Sequence, residues 1–258
     1  REITMTQPLV SLRGVSLTYH TPDRETSVLD NIDIDVEKGE LFGIVGPSGC
    51  GKTTVLSLIS GVLQPSAGTV LTDGKAPDKC DISGYMLQKD ELLPWRNIMS
   101  NVLLGAELKK MDIPRATQRA KELLDKYNLG DTCDHYPSHL SGGMRQRVAL
   151  IRTLVLSPKI LLLDEPFSAL DFQTRLQVVD DVYSILRSEG ITAIFVTHDI
   201  NEAISLCDRV AVLSSKPCTV KKITEIDMHD LTPAQRRKQE RFVHLYDEIL
   251  HTLQDSKE

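Results

Sequence analysis

The chain has 258 residues, 41% of them hydrophobic, and a formal net charge of -6. That length and apolar content allow one generous domain or two small ones with ample core, and they argue against disorder. The negative balance supplies no basic field of the kind that holds a protein on nucleic acid, so a nucleic-acid function is not expected.

The N-terminal run REITMTQPLV lacks the apolar core of a signal peptide. Leu9 to Tyr19 and Val28 to Val36 alternate apolar and polar residues, and turns at Ser66-Ala67-Gly68 and Asp73-Gly74 bracket a short run from Thr69 to Leu71. The alternation predicts an antiparallel sheet layer. Tyr19, closing the first of these segments, is either an ordinary strand aromatic or a platform on which adenine stacks. Leu41 to Val45 is then a continuous apolar run leading into Gly46-Pro47-Ser48-Gly49-Cys50-Gly51-Lys52-Thr53-Thr54. This matches the GxxxxGK[ST] phosphate loop, with the strand before and the helix after that the motif requires. Its glycines let successive amides point at phosphates, and the following helix adds its positive end. Lys52 is expected to reach the β- and γ-phosphates of ATP and Thr53 to ligate Mg²⁺. Cys50 lies inside the loop, where a bulky adduct would collide with the nucleotide.

Further apolar runs end in polar clusters: Tyr85 to Leu87 in Gln88, Ile160 to Leu163 in Asp164-Glu165, and Ala193 to Val196 in Thr197-His198. Runs of this length separated by helical segments are what a parallel sheet buried on both faces produces, and ligands bind at the carboxyl ends of such strands. The four clusters should therefore converge. Two adjacent carboxylates after a fully apolar strand are costly without a cation. Strand alternation would send Asp164 toward Mg²⁺ and Glu165 toward the attacking water. Gln88 reads as a loop residue or as a Mg²⁺ or water contact, and His198 as a loop residue or a γ-phosphate contact.

From Asn97 to Leu156 the pattern is helical throughout, with breaks expected at Ile113-Pro114 and Tyr136-Pro137. Within it Ser141 opens a helix whose buried stripe is Met144, Val148, Ile151 and Val155. Ser141 and the amides of Gly142 and Gly143 then stand at a helix N-terminus, ready for an anion. An N-capping serine explains the first residue; two helix-weakening glycines in the first turn ask for more. After Leu231, Thr232 is a cap and Pro233 a first helical residue, and Phe242, Leu245, Ile249 and Leu253 share a face. That face either packs on its own domain or contacts a partner. The five cysteines, Cys50, Cys80, Cys133, Cys207 and Cys218, show no metal or redox spacing and read as free thiols of a reducing cytosol. No segment is long and apolar enough to span a bilayer.

Together these residues resemble the ATP-binding subunit of an ABC transporter from Leu9 to about Val220. The match runs through the Walker A loop Gly46 to Thr54, the Q-loop Gln88, the signature LSGGMRQR from Leu140, the Walker B pair Asp164-Glu165, the D-loop Ser168-Ala169-Leu170-Asp171 and the switch His198. The resemblance implies an α/β fold: a P-loop NTPase core with a parallel sheet and an antiparallel β layer (1–90 and 157–225), an inserted helical subdomain (91–156) and a C-terminal helical tail (226–258). It implies ATP and Mg²⁺ as ligands, with Glu165, His198 and Lys52 catalytic and Thr53, Gln88 and Asp164 on the metal. It also implies a head-to-tail homodimer in which Ser141 to Gly143 cover the partner's ATP, and integral-membrane permease subunits docked beside the Q-loop at Leu92, Leu93, Pro94 and Trp95. The wording LLPWRNIMSNV is similar to the importer branch for nitrate, sulfonates and taurine, which implies a chain peripheral to the cytoplasmic face of the cell membrane and, indirectly, a secreted solute-binding protein as partner. The alternative is a soluble ABC ATPase of DNA repair or translation, but the coiled coils, paired cassettes and basic surfaces such proteins carry are absent.

Overall fold

In the computed structural model, which describes residues 7–21, 24–77 and 83–255, both alternating segments form long strands. β1 (Val10–Thr21) and β2 (Arg24–Val36) pair antiparallel, and β4 (Ala67–Thr72) lies along the other edge of β1. The apolar phase in β1 switches from Val10 and Leu12 to Val15 and Leu17. A register shift there, with Gly14 at φ 56, keeps all four side chains buried.

The second sheet holds β3 (Leu41–Val45), β5 (Ser83–Met86), β6 (Ile160–Asp164), β7 (Thr192–Thr197), β8 (Arg209–Leu213) and β9 (Val220–Glu225). Its order is β5-β6-β7-β3-β8-β9, parallel except for β9, which runs antiparallel to β8. The four apolar runs are thus adjacent strands with their carboxyl ends side by side. Phe42, Ile44, Leu162 and Ile194 face α1 (Lys52–Ile59) and the antiparallel sheet, whereas Leu161, Leu163, Ala193 and Phe195 face the remaining helices. Water is excluded from both faces, which is why these strands read as unbroken apolar runs. β5 ends at Met86 and leaves Leu87 exposed, so Gln88 stands two residues beyond its strand.

The helical segment is less continuous than its pattern suggests. α2 (Ile98–Leu108) is capped by Asn97, α3 (Ile113–Lys126) by Asp112 and α4 (Gly142–Leu154) by Ser141, with only 3-10 turns at Gly130–Thr132 and Pro137–His139 between the last two. Ile113-Pro114 opens α3 rather than breaking a helix, because proline in a first turn gives up an amide that has no helical partner. Asn101, fully buried on α2, shapes the loop before it: its amide accepts from the Leu93 amide at 2.7 Å and donates to the carbonyls of Leu93, Arg96 and Asn97.

α5 (Phe172–Ser188) follows β6, and α6 (Ile200–Leu206) follows β7. The tail is two helices, not one: Thr232 caps the short α7 (Pro233–Arg236), and α8 (Glu240–Asp255) follows. Phe242, Leu245 and Ile249 are buried and Leu253 partly so, all against the main core, so the tail's apolar face packs on its own chain. Arg236 is completely buried; its guanidinium donates to the carbonyls of Met228, Leu231, Ile204 and Cys207, the last two at the end of α6, where a cation also meets the negative end of the helix dipole.

Candidate functional site

Tight turns bring the strand ends to one cleft of about 410 Å³, lined by residues that include Tyr19, Val28, Gly51, Lys52, Thr53 and Glu165. The phosphate loop leaves β3 and enters α1 through Gly49 (φ 74) and Gly51 (φ 131). A side chain at Gly51 would also come within 2.9 Å of Leu29, so only glycine fits both the dihedral and the contact. Thr54 lines the same cleft, while Gly46, Pro47 and Ser48 line an adjoining groove with His198.

Lys52 is buried, and its ammonium donates to the carbonyls of Gly46 and Pro47 at 2.9 and 3.0 Å while standing 3.9 Å from a Glu165 oxygen. The Thr53 hydroxyl donates to Asp164 Oδ1 at 3.1 Å. Burial raises the Asp164 carboxyl above its ordinary range, against the Thr53 bond, and the nearby Glu165 charge adds to the rise. Glu165 Oε2 lies 3.1 Å from His198 Nδ1. One lysine, one hydroxyl, two carboxylates and one imidazole from three strand ends therefore share a small volume.

Several expectations need correction. Asp164 and Glu165 do not diverge by strand alternation: β6 ends at Asp164, and Glu165 adopts φ 45, a left-handed conformation stabilised by its amide donating to the Val196 carbonyl at 2.9 Å. The Gln88 side chain is engaged by the turn after β6: its amide donates to Ser168 Oγ at 3.1 Å, and Ser168 Oγ donates to the Glu165 carbonyl. Cys50 is buried and points away from the cleft. A hydrogen bond with Cys218, helped by Lys52, pulls its thiol down to about 7 despite burial. Reagents therefore cannot meet that thiol at the cleft surface. Leu92 is buried in the helical core and does not line a docking groove, whereas Trp95 is 72% exposed.

Ser141, Gly142 and Gly143 do not line the cleft of their own chain. Ser141 is exposed and accepts from the Met144 amide. The two glycines also have a packing reason that sequence reasoning overlooked: a Cβ at Gly143 would lie 2.9 Å from Val178, and one at Gly142 would lie 3.1 Å from Leu170. Asp171 caps α5, accepting from the Thr174 amide at 3.0 Å, which lowers its carboxyl below the usual range.

Other side chains were missed. The Tyr85 hydroxyl approaches Asp164 Oδ2 at 3.5 Å, and burial and that carboxylate push the phenol upward; its place one residue before Met86 in a strand adjoining β6 was the available signal. Lys216 lines the cleft from the β8–β9 connection. Arg145 and Arg152 on α4 hold the loop after Gln88, through the Asp90 carboxylate and the Asp90 and Glu91 carbonyls. Long-range pairs of this kind have no local pattern.

Comparison with known proteins gives the arrangement a family. The ABC transporter family matches residues 29–168. An uncharacterized ABC transporter ATP-binding protein of Bacillus subtilis, YtlC, is 43% identical over 238 residues, 91% of this chain and 92% of that protein. The aliphatic sulfonates import ATP-binding protein SsuB 1 of Rhodococcus jostii is 44% identical, covering 81% of each chain. Among solved structures, the dimeric post-hydrolysis state of the ATP-binding cassette MJ0796 bound to ADP and Pi superposes with a TM-score of 0.71 at 31% identity, over 84% of this chain and 98% of that one. The chain belongs to the ABC transporter ATP-binding family: it binds ATP, and its ATPase activity is coupled to transport.

Proposed function

We propose that two copies of this chain close head to tail over two ATP molecules and, through permease subunits at the cytoplasmic face of a membrane, drive import of a small solute of the nitrate, sulfonate or taurine kind. The observation that supports this most directly is the convergence of Lys52, Thr53, Asp164, Glu165 and His198 at neighbouring strand ends beside an open cleft that their own chain's Ser141-Gly142-Gly143 element does not line. A second copy supplies that element. The sulfonate-import relative and the LLPWRNIMSNV wording support the solute class, and a solute-binding protein would deliver it. Among the described residues no helix is long and apolar enough to cross a membrane, which fits spanning by separate subunits.

Within each site Lys52 leaves the loop carbonyls for the β- and γ-phosphates, where its point charge offsets charge gathering in transfer. Glu165 accepts a proton from, or orients, the attacking water, and His198 holds Glu165 on one side and the γ-phosphate on the other. Tyr19 stacks on the base. Backbone amides of the partner subunit's Ser141 to Gly143 close the far side, and Asp171 shapes the turn that meets the partner. The Thr53 hydroxyl and the buried Asp164 carboxylate, 3.1 Å apart, are the oxygen donors a hard cation prefers. They fit Mg²⁺, with Gln88 joining if it leaves Ser168. When bound there, Mg²⁺ would neutralise charge between the transferred and leaving phosphates.

Glu165→Gln tests the core of this reading. The variant should bind ATP, lose turnover by about two to three orders of magnitude, and accumulate as an ATP-bound dimer on size exclusion. Near-normal phosphate release would overturn the role of Glu165, and a monomer at saturating ATP would overturn the closing dimer.

A further inference from the structure

Behind the cleft, the turn after β6 and the turn after β7 meet through one cation. Asp171 starts α5, and Arg175, four residues into that helix's first turn, folds back so that its Nη2 donates to the Leu170 carbonyl at 2.9 Å. Its other nitrogens face the loop that carries His198: Nη1 lies 3.6 Å from Asp199 Oδ2 and Nε 3.7 Å from Glu202 Oε1. Nε is buried and makes no hydrogen bond. Glu202, only 6% exposed, accepts through its other oxygen from the Thr197 hydroxyl at 2.6 Å, and that hydroxyl accepts from the Asp199 amide at 3.0 Å. The Glu202 carboxylate therefore braces the chain on both sides of His198.

Arg175 is poorly explained as a helix stabiliser, because a cation in the first turn of α5 faces the positive end of the dipole. Its planar fork of donors can instead serve a carbonyl and a carboxylate together, which a lysine ammonium on a flexible stem does less well. At 3.6 and 3.7 Å the contacts to Asp199 in the switch loop and to Glu202 in α6 are ion pairs just outside hydrogen-bond range, so a shift of less than about 1 Å would turn them into charge-assisted bonds.

We infer that Arg175 and Glu202 are a positioning couple that ties His198 to the Ser168–Asp171 turn, so that a second copy pressing on that turn sets the switch histidine of the same chain. The inference rests on the closing dimer proposed above. Neither residue touches the nucleotide; both act through the placement of His198 against Glu165. The groups facing the Glu202 carboxylate are Thr197 and His198 at the end of β7, Asp199 in the loop and Arg175 on α5. Burial pushes that carboxyl up to about 7, opposed by Thr197, Arg175 and His198 and aided by Asp199. The charged bond forms only when Glu202 is ionised.

Steady-state ATPase measurements on the full chain, with Arg175→Ala, Arg175→Lys, Glu202→Gln and the Arg175→Ala/Glu202→Gln double variant, test the couple. Each single variant should lower kcat by about tenfold while the KM for ATP stays within about twofold, and the double variant should be no slower than the slower single one. Lysine should restore little. In the wild type kcat should rise between about pH 6 and about pH 8, and Glu202→Gln should lose that rise, which a purely structural role would not predict. Wild-type kcat in either single variant, or effects that multiply in the double, would overturn the couple. If Arg175→Ala does not fold, the near-isosteric Glu202→Gln decides alone. A chain that still traps an ATP-bound dimer as Glu165→Gln but keeps full kcat as Glu202→Gln overturns the couple only; failure to trap the dimer removes both.

Discussion

Glu202 carries a stability consequence that can be separated from turnover. A carboxyl held at about 7 in the folded chain has an unfolded value near 4.3. The folded state thus binds this proton more tightly than the unfolded chain does. Its contribution is fully present below about pH 4 and is lost as pH rises through about 7, at which point an ionised, buried and incompletely paired carboxylate remains. The difference corresponds to an upper bound on the order of 4 kcal/mol. Glutamine keeps an oxygen for the Thr197 hydroxyl and carries no charge. Glu202→Gln should therefore gain on the wild type by roughly 2 kcal/mol between about pH 5 and about pH 8 in urea unfolding. An identical stability difference at both pH values would refute the burial argument. A residue that costs stability at neutral pH, yet sits under the switch histidine, follows the pattern of strain retained at functional sites.

At the scale of elements, the first turn of α4 separates packing from function. Gly143→Ala would gain about 1 kcal/mol of helix propensity, but its Cβ would meet Val178 and Thr174 on α5 at 2.9 and 3.1 Å. Both neighbours are β-branched and stiff, so overpacking at about 1 to 3 kcal/mol outweighs the gain and the melting temperature should fall. Gly142→Ala meets only the ends of flexible side chains, Leu170 at 3.1 Å and Arg145 at 3.9 Å, so it should melt at or above the wild type. Equal melting of the two variants would defeat the packing explanation. The loop before α2 gives the opposite case. Trp95 is exposed although Leu92 beside it is buried, so Trp95→Ala should leave the melting temperature of the isolated chain unchanged while weakening assembly with the permease. A sharp drop in melting temperature would remove Trp95 from the proposed docking surface. These elements also mark what was legible in the sequence. The apolar runs of β3, β6 and β7 and the cap at Ser141 are local patterns, and so is the phosphate loop. The left-handed turn at Glu165, the split between α7 and α8 at Arg237 to Gln239, and the Arg175–Glu202 contact are not: Pro166 disfavours a right-handed helical Glu165 but does not specify a positive φ, no glycine or proline marks the second, and the third joins residues that only the parallel sheet brings together.

The whole molecule is half of a machine if Ser141 to Gly143 serve the cleft of another copy. Within one chain these residues and Lys52 do not share a pocket, while the related MJ0796 cassette was captured as a dimer with ADP and Pi. A chain with Lys52→Ala loses the phosphate-facing charge of its own cleft, and a chain with Ser141→Arg places a bulky cation where its partner's nucleotide would be covered. In a homodimer of either variant both sites carry one defect. In a mixed dimer both defects fall on one site, that of the Lys52→Ala chain covered by the Ser141→Arg chain, and the other site is intact. Differently tagged variants should be mixed, the mixed dimer isolated by tandem affinity, and its retained nucleotide and phosphate release measured. One nucleotide held per mixed dimer, with hydrolysis above either parent, is the expected result. If purified mixed dimers retain no more nucleotide and release no more phosphate than the parents, Ser141 acts within its own chain and the shared site is wrong.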